Sequence, residues 1–313
     1  MQFHIEHTTE FVYPEPATEA FSEIRLRPRD TLHQTISHHQ TRVTPSVLVE
    51  NYTDYFGNYV ETVSVPFRHQ RLSVTSICDV VTECHPDPLG NLSLTVCEAR
   101  LLYKSRLREL HDFIRPSKLI TFSEGVRTLS DQLMPDTADF TASLRELNRH
   151  IFERFSYTPG ATGVTTSVEE VVSRKEGVCQ DFAHLMIAVC RMAGFPARYV
   201  SGYIETDPAP EGALVGATAS HAWVEILSPN GFWVSFDPTN NIMESERHVQ
   251  IGVGRDYSDV PPMKGTFKGT QRQILTVDVR VRRGGPEPTP VPLARSSQNR
   301  TANSSPTREN LHS

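Results

Sequence analysis

The hydrophobic period of this chain changes once, near residue 105, and that change limits the fold more than any other feature. From residue 1 to about 103, six short runs rich in Val, Ile, Thr, Tyr or Phe partly alternate in polarity, as half-buried strands do: 1–12, 21–26, 41–49, 58–65, 72–80 and 92–102. Breakers separate them at Pro14-Glu15-Pro16, Pro28-Arg29-Asp30, Phe56-Gly57-Asn58, Pro86-Asp87-Pro88 and Gly90-Asn91. An all-β, sandwich-like unit over residues 1–105 follows. Beyond it Leu144, Leu147, Ile151 and Phe155 recur at intervals of three and four, one apolar stripe of a helix. Residues 106–285 therefore read as a second unit that mixes helices with strands, including a strand at 197–204, a hairpin at 220–236 and a closing strand at 274–281. The Pro/Ser/Asn-rich tail, 286–313, is expected to be disordered.

Charge narrows the class. Thirty-one Lys and Arg stand against 37 Asp and Glu in 313 residues, a net charge of -6 with no dense basic run, which argues against nucleic acid or an anionic membrane as partner. The five cysteines, Cys78, Cys84, Cys97, Cys179 and Cys190, form no C-x-x-C pair and no zinc spacing. His33, His38 and His39 lack a fourth ligand at helical or hairpin spacing, so no metal and no cofactor is expected. The first residues lack a signal-peptide pattern and no window reaches ~20 apolar residues. The expected compartment is the reducing cytoplasm, where thiols stay free. The strand edges of the N-terminal sheet leave a dimer open, and oligomeric state is otherwise unread.

One cysteine differs from the rest. Cys179 opens a mostly apolar helix, 177–194, that ends at Gly194 ahead of Pro196, while Ser167 caps a shorter helix before it. A helix start presents unsatisfied N–H groups and the positive end of the macrodipole, which favour an anionic nucleophile and an oxyanion. The hairpin supplies the rest of a nucleophilic system: His221 begins one strand and Asp237 ends the other, beyond Ser228-Pro229-Asn230-Gly231. Histidine is the usual base for a thiol, and a third polar group fixes its tautomer. A three-residue loop, 228–230, would set His221 directly opposite Asp237; a two- or four-residue loop would turn Asp237 to the other face unless a bulge restores register.

Gly177-Val178-Cys179, Ser220-His221-Ala222-Trp223-Val224-Glu225 and Phe236-Asp237-Pro238-Thr239, in this order, resemble the three motif blocks of the transglutaminase-like superfamily. The run from Gly177 through Gly202 and the stretch from Val253 to Pro262 look like its bacterial branch. Arg25-Leu26-Arg27-Pro28 and Asp54-Tyr55-Phe56-Gly57-Asn58 are similar to the β domain that precedes the core there. The resemblance covers about residues 1–285. It implies an α+β, papain-like core with a Cys-His-Asp triad, carried here by Cys179, His221 and Asp237.

Other residues are weaker candidates. Tyr157 could offer its hydroxyl to an oxyanion and Gln180 its backbone N–H, while Trp223 and Trp233 read as walls that exclude water. Asp181 and His184 share a helix face and are expected to bond each other or nearby backbone. The chemistry expected is attack of the Cys179 thiol on an amide carbonyl of a peptide or protein substrate, giving a thioester, and then hydrolysis, as in a cysteine peptidase or amidase. The alternatives are transfer to an amine, as in a protein-glutamine gamma-glutamyltransferase, and a non-catalytic binding module. The other four cysteines are expected to be inert.

Overall fold

The computed structural model describes residues 1–83, 89–90, 92–205, 214–216, 220–243, 245–270 and 272–284. Cys84, the turn at 86–88, most of the loop at 205–218 and the tail at 286–313 lie outside the described residues. Five of the six alternating runs become strands: β1 (Gln2–Ala17), β2 (Glu19–Ile24), β3 (Gln34–Thr44), β4 (Val49–Thr53), β5 (Tyr59–Val65) and β6 (His69–Thr82). The run at 41–49 is divided between β3 and β4. In β1 the period of two is plain, with Phe3, Ile5, His7 and Thr9 buried and the residues between them partly exposed.

The sixth run, 92–102, is no strand. It holds the short helix α1 (Val96–Leu101), because Thr95 and Glu98 form a capping box: the Thr95 hydroxyl accepts the Glu98 N–H at 3.2 Å and the Glu98 carboxylate accepts the Thr95 N–H at 2.8 Å. Two satisfied helix-end groups outweigh the weak strand preference of Leu and Val there.

The core follows as α2 (His111–Ile114), α3 (Glu124–Leu133), α4 (Phe140–Arg154), β7 (Ser156–Tyr157), α5 (Val168–Arg174), β8 (Glu176–Gly177), α6 (Cys179–Met192), β9 (Ala197–Ile204), β10 (His221–Leu227), β11 (Trp233–Asp237), β12 (Ile242–Met243) and β13 (His248–Gly254). Its antiparallel sheet runs β12-β11-β10-β9-β13. Helix α6 is buried at every position from Asp181 to Arg191, as an apolar central helix must be. It packs in one core cluster with Ala222, Val224 and Ile226 of β10 and Val234 and Phe236 of β11. Leu144, Leu147, Ile151 and Phe155 join the same cluster, so the stripe read from spacing faces it.

The last two strands correct the expected division of the chain. The strand expected at 274–281 to close the core, β15 (Ile274–Arg283), pairs along β1, and β14 (Met263–Lys268) pairs along β2. The sandwich is therefore β15-β1-β6-β3 over β14-β2-β5-β4, and the core is inserted between β6 and β14. Alternation identifies a strand but carries no record of which sheet it joins.

Two contacts weld the sandwich to the core. Phe3, Ile5, Cys78, Val80, Val279 and Val281 pack on Tyr203, Val249 and Ile251. Beside them, two buried amides cap the outer edge of β13. Gln34 donates Nε2–H to the Gln250 carbonyl and accepts the Gln250 N–H on Oε1, both at 2.8 Å; Asn58 does the same for Val253, both at 2.8 Å. An edge strand that would otherwise present open backbone groups is thus paired with side chains.

Candidate active site

Cys179 is the first residue of α6 and is partly exposed. The Asp181 carboxylate accepts the Val178 N–H at 2.8 Å and the Thr162 hydroxyl at 2.6 Å, tying the entry to the helix in place. Gly177 makes this tie sterically permissible, since a Cβ there would lie 2.8 Å from Asp181 Cβ. The first-turn N–H groups of Cys179 and Gln180 have no helical acceptor and stand beside the thiol. The Gln180 side chain is turned away, donating to the Val164 carbonyl at 3.2 Å.

The hairpin register differs from the expected one. Leu227 faces Trp233 and Val224 faces Phe236, so the loop is five residues, 228–232, and no bulge is present. This slips the pairing by two residues from the three-residue case, which keeps His221 and Asp237 on one face but makes them diagonal neighbours. They meet nevertheless: His221 donates Nε2–H to Asp237 Oδ2 at 2.9 Å, and both side chains are fully buried. Nδ1, on the other side of the ring, is buried with no hydrogen-bond partner, and the Cys179 thiol is near enough to the ring to raise its pKa.

The charges follow from this geometry. Burial alone would lower the pKa of His221; the charge and hydrogen bond of Asp237, with the adjacent Cys179, outweigh it and bring the imidazole to about 10. Burial likewise opposes ionisation of Asp237, and the charge and hydrogen bond of His221 together with the hydrogen bond of His248 overcome it, holding the carboxyl well below the usual range. By contrast, burial pushes the Cys78 and Cys190 thiols up to about 12.

His248, from β13, had no counterpart in the sequence reading. Its Nε2 lies 3.2 Å from the same Asp237 oxygen. A lone histidine at the start of a strand carries no signal of its own; only the sheet order brings β13 to the triad. Trp223 packs against both histidines, stacked on His221 at 6.2 Å and edge-on to His248 at 5.2 Å. Gly202 on the neighbouring strand makes room for it, since a Cβ there would fall 2.2 Å from the indole. Trp233 packs elsewhere, with the Arg198 guanidinium 4.1 Å above its ring.

The remaining candidates separate. Tyr157 does reach the site: burial, then the neighbouring Cys179 and Asp237, push its hydroxyl up to about 12. Gly216 adjoins it, and a Cβ on Gly216 would stand 2.7 Å from His221 Nδ1 and 3.5 Å from the Tyr157 oxygen. Asp181 and His184 do not bond each other; His184 Nε2 accepts the Tyr257 N–H at 3.2 Å, and burial holds its pKa down at about 4. Asp256 anchors its loop by accepting the Leu119 N–H at 2.9 Å. Among the described residues, His221, Asp237 and His248 form the one cluster whose ligating atoms could close on a metal ion. An Asn240 N–H aims at the same Asp237 oxygen at 2.7 Å, which suits a hydrogen-bonded carboxylate better than a cation.

Residues 127–238, which span Cys179, His221 and Asp237, match the transglutaminase-like superfamily, and residues 3–81 match the bacterial transglutaminase-like N-terminal region. The chain belongs to the transglutaminase-like superfamily. This transglutaminase-like chain is 32% identical over 285 residues to an uncharacterized protein of Mycobacterium leprae, a match that covers 90% of this chain and 99% of the relative. A shorter match, 38% identical over 121 residues, covers 37% of this chain and 18% of a protein-glutamine gamma-glutamyltransferase from Pseudomonas aeruginosa. A candidate cysteine protease from Cytophaga hutchinsonii has the same fold, with a TM-score of 0.69, 21% identity and 93% of each chain covered. The superfamily and the glutamyltransferase match point to thiol-based acyl chemistry in general.

Proposed function

We propose that this protein is a cysteine hydrolase of amide bonds, acting on a peptide or protein through Cys179, His221 and Asp237. The observation that carries the reading is the division of the His221 ring: Nε2–H is committed to Asp237 and Nδ1 is left to the thiol. His221 Nδ1 takes the Cys179 proton, the sulfur attacks the carbonyl carbon, and the C–N bond breaks as His221 returns the proton to the leaving amine. The N–H groups of Cys179 and Gln180 stabilise the oxyanion, with the Tyr157 hydroxyl as a further donor. Water, deprotonated by His221, then attacks the thioester, releases the acid and restores the thiol.

Transfer of the acyl group to an amine uses the same steps with an amine in place of water. The 38% identity to a glutamyltransferase favours that second reading. A reducing compartment, proposed as the cytoplasm, keeps the thiol free.

Intact-mass spectrometry during exposure to a peptide library, with and without a primary amine, tests the proposal. We expect an acyl adduct on the wild type, none on Cys179→Ala, and acid rather than amide products even with amine present. Amide products would replace hydrolysis by transfer. The whole reading fails if no adduct forms and iodoacetamide modifies Cys179 no faster than Cys78, Cys97 or Cys190.

A further inference from the structure

Asp237 accepts more hydrogen bonds than orienting one histidine requires. Its Oδ2 receives three donors: His221 Nε2 at 2.9 Å, His248 Nε2 at 3.2 Å and Asn240 Nδ2 at 2.7 Å. Its Oδ1 receives the Thr239 and Asn240 backbone N–H groups at 3.0 and 3.3 Å. The role of His248 in this set is fixed from its far side. The backbone N–H of Ser245 points at His248 Nδ1 from 3.3 Å, and a backbone N–H can only donate. Nδ1 therefore bears the lone pair and Nε2 bears the proton, so His248 is a neutral donor to Asp237.

We propose that His248 is a positioning residue of the active site: it holds the Asp237 carboxylate ionised and in the rotamer that meets His221, acting through Asp237 and never touching the reacting atoms. This rests on the function proposed above. The geometry is rigid enough for the task. The His248 side chain is fully buried and has the Trp223 ring against it, and the titratable groups that face it are Asp237 and His221. Its strand, β13, is gripped two and five residues further on by the Gln34 and Asn58 amides of the sandwich. Without the His248 donor, Oδ2 loses one of three bonds and the carboxylate gains freedom to turn. His221 then loses the fixed counter-charge that stabilises its protonated form, and becomes a weaker acceptor for the Cys179 proton.

Two variants and one spectrum test this in the full chain. His248→Met fills the space without a donor, and His248→Gln keeps an N–H near the position of Nε2. Iodoacetamide alkylation of Cys179 at neutral pH should slow about 10-fold in the Met variant, the effect of losing one hydrogen bond to a charged group, and return to within about 3-fold of wild type in the Gln variant. With a substrate in hand, the same loss should fall on kcat and leave KM within about 2-fold. Equal rates in wild type and His248→Met, or equally slow alkylation in both variants, overturn the proposal. If His248→Met does not fold, the nitrogen chemical shifts of wild-type His248 decide the matter: a neutral ring protonated at Nε2 supports it, and any other state overturns it. A wild-type Cys179 no more reactive than Cys97 would instead sink the proposed function, while the tautomer would still stand or fall by the spectrum.

Discussion

His221 ties protein stability to pH through its pKa of about 10, raised well above the ordinary 6.5. A raised histidine stabilises the fold fully below the unfolded value, and that stability is lost as pH climbs through the folded value. His7 and His39, lowered to about 4 by burial first of all, act in the opposite sense, costing stability as pH falls from about 6.5 toward 4. Thermal unfolding should therefore peak near neutrality and decline steadily from about pH 6.5 to pH 9. In Asp237→Asn, where the counter-charge is gone, the alkaline decline should flatten. A wild-type profile level from pH 7 to 9, or an undiminished slope in Asp237→Asn, would contradict the buried ion pair. At this scale the sequence was informative where chemistry is intrinsic to residue type and position. Cys179 at a helix start and a histidine and aspartate bracketing one hairpin could be read directly. His248 could not, because its role depends on a partner on β11, with β9 and β10 between them in the sheet.

Local elements show a similar division between short-range and long-range information. The cap at Ser167 and the strand at 197–204 lie where spacing puts them, because the signals are a few residues apart. Helix α1 is legible too, in Thr95-x-x-Glu98, although the apolar residues of 92–102 by themselves point to a strand. The hairpin loop length could not be counted from Ser228-Pro229-Asn230-Gly231, since Ser228 accepts and donates across the whole loop, including an N–H bond to the Phe232 carbonyl at 2.8 Å. The capping of β13 by side chains is a further element-scale device, and it makes a quantitative prediction. Asn58→Ala leaves the Val253 N–H and C=O buried without partners, at about 1–3 kcal/mol each, so urea unfolding should report a loss of about 2–6 kcal/mol. A loss under about 0.5 kcal/mol would mean that the amide contributes nothing to holding β13.

On the scale of the whole molecule, the sandwich and the core are one cooperative structure, because β14 and β15 return to sheets begun by β1 and β2. Fold class was readable from the change of period and from the motif blocks, yet the two-part division at residue 105 was not the connectivity that the chain adopts. A chain ended at residue 262 lacks Val279 and Val281 from the interface that also holds Tyr203 and Val249. Such a chain should lose cooperative melting and bind a hydrophobic dye, whereas a folded monomer with a wild-type melting curve would show that the two last strands are dispensable. The Gly284 N–H donates to the Gln2 carbonyl at 3.0 Å, which places the two ends of the described chain side by side. Synthesis runs against this arrangement. The ribosome delivers β1 well before β15, so one edge of β1 stands unpaired for as long as the inserted core takes to emerge. Until β15 arrives, that edge is a template on which a second nascent chain can pair, and a chain stalled within the inserted core keeps it open.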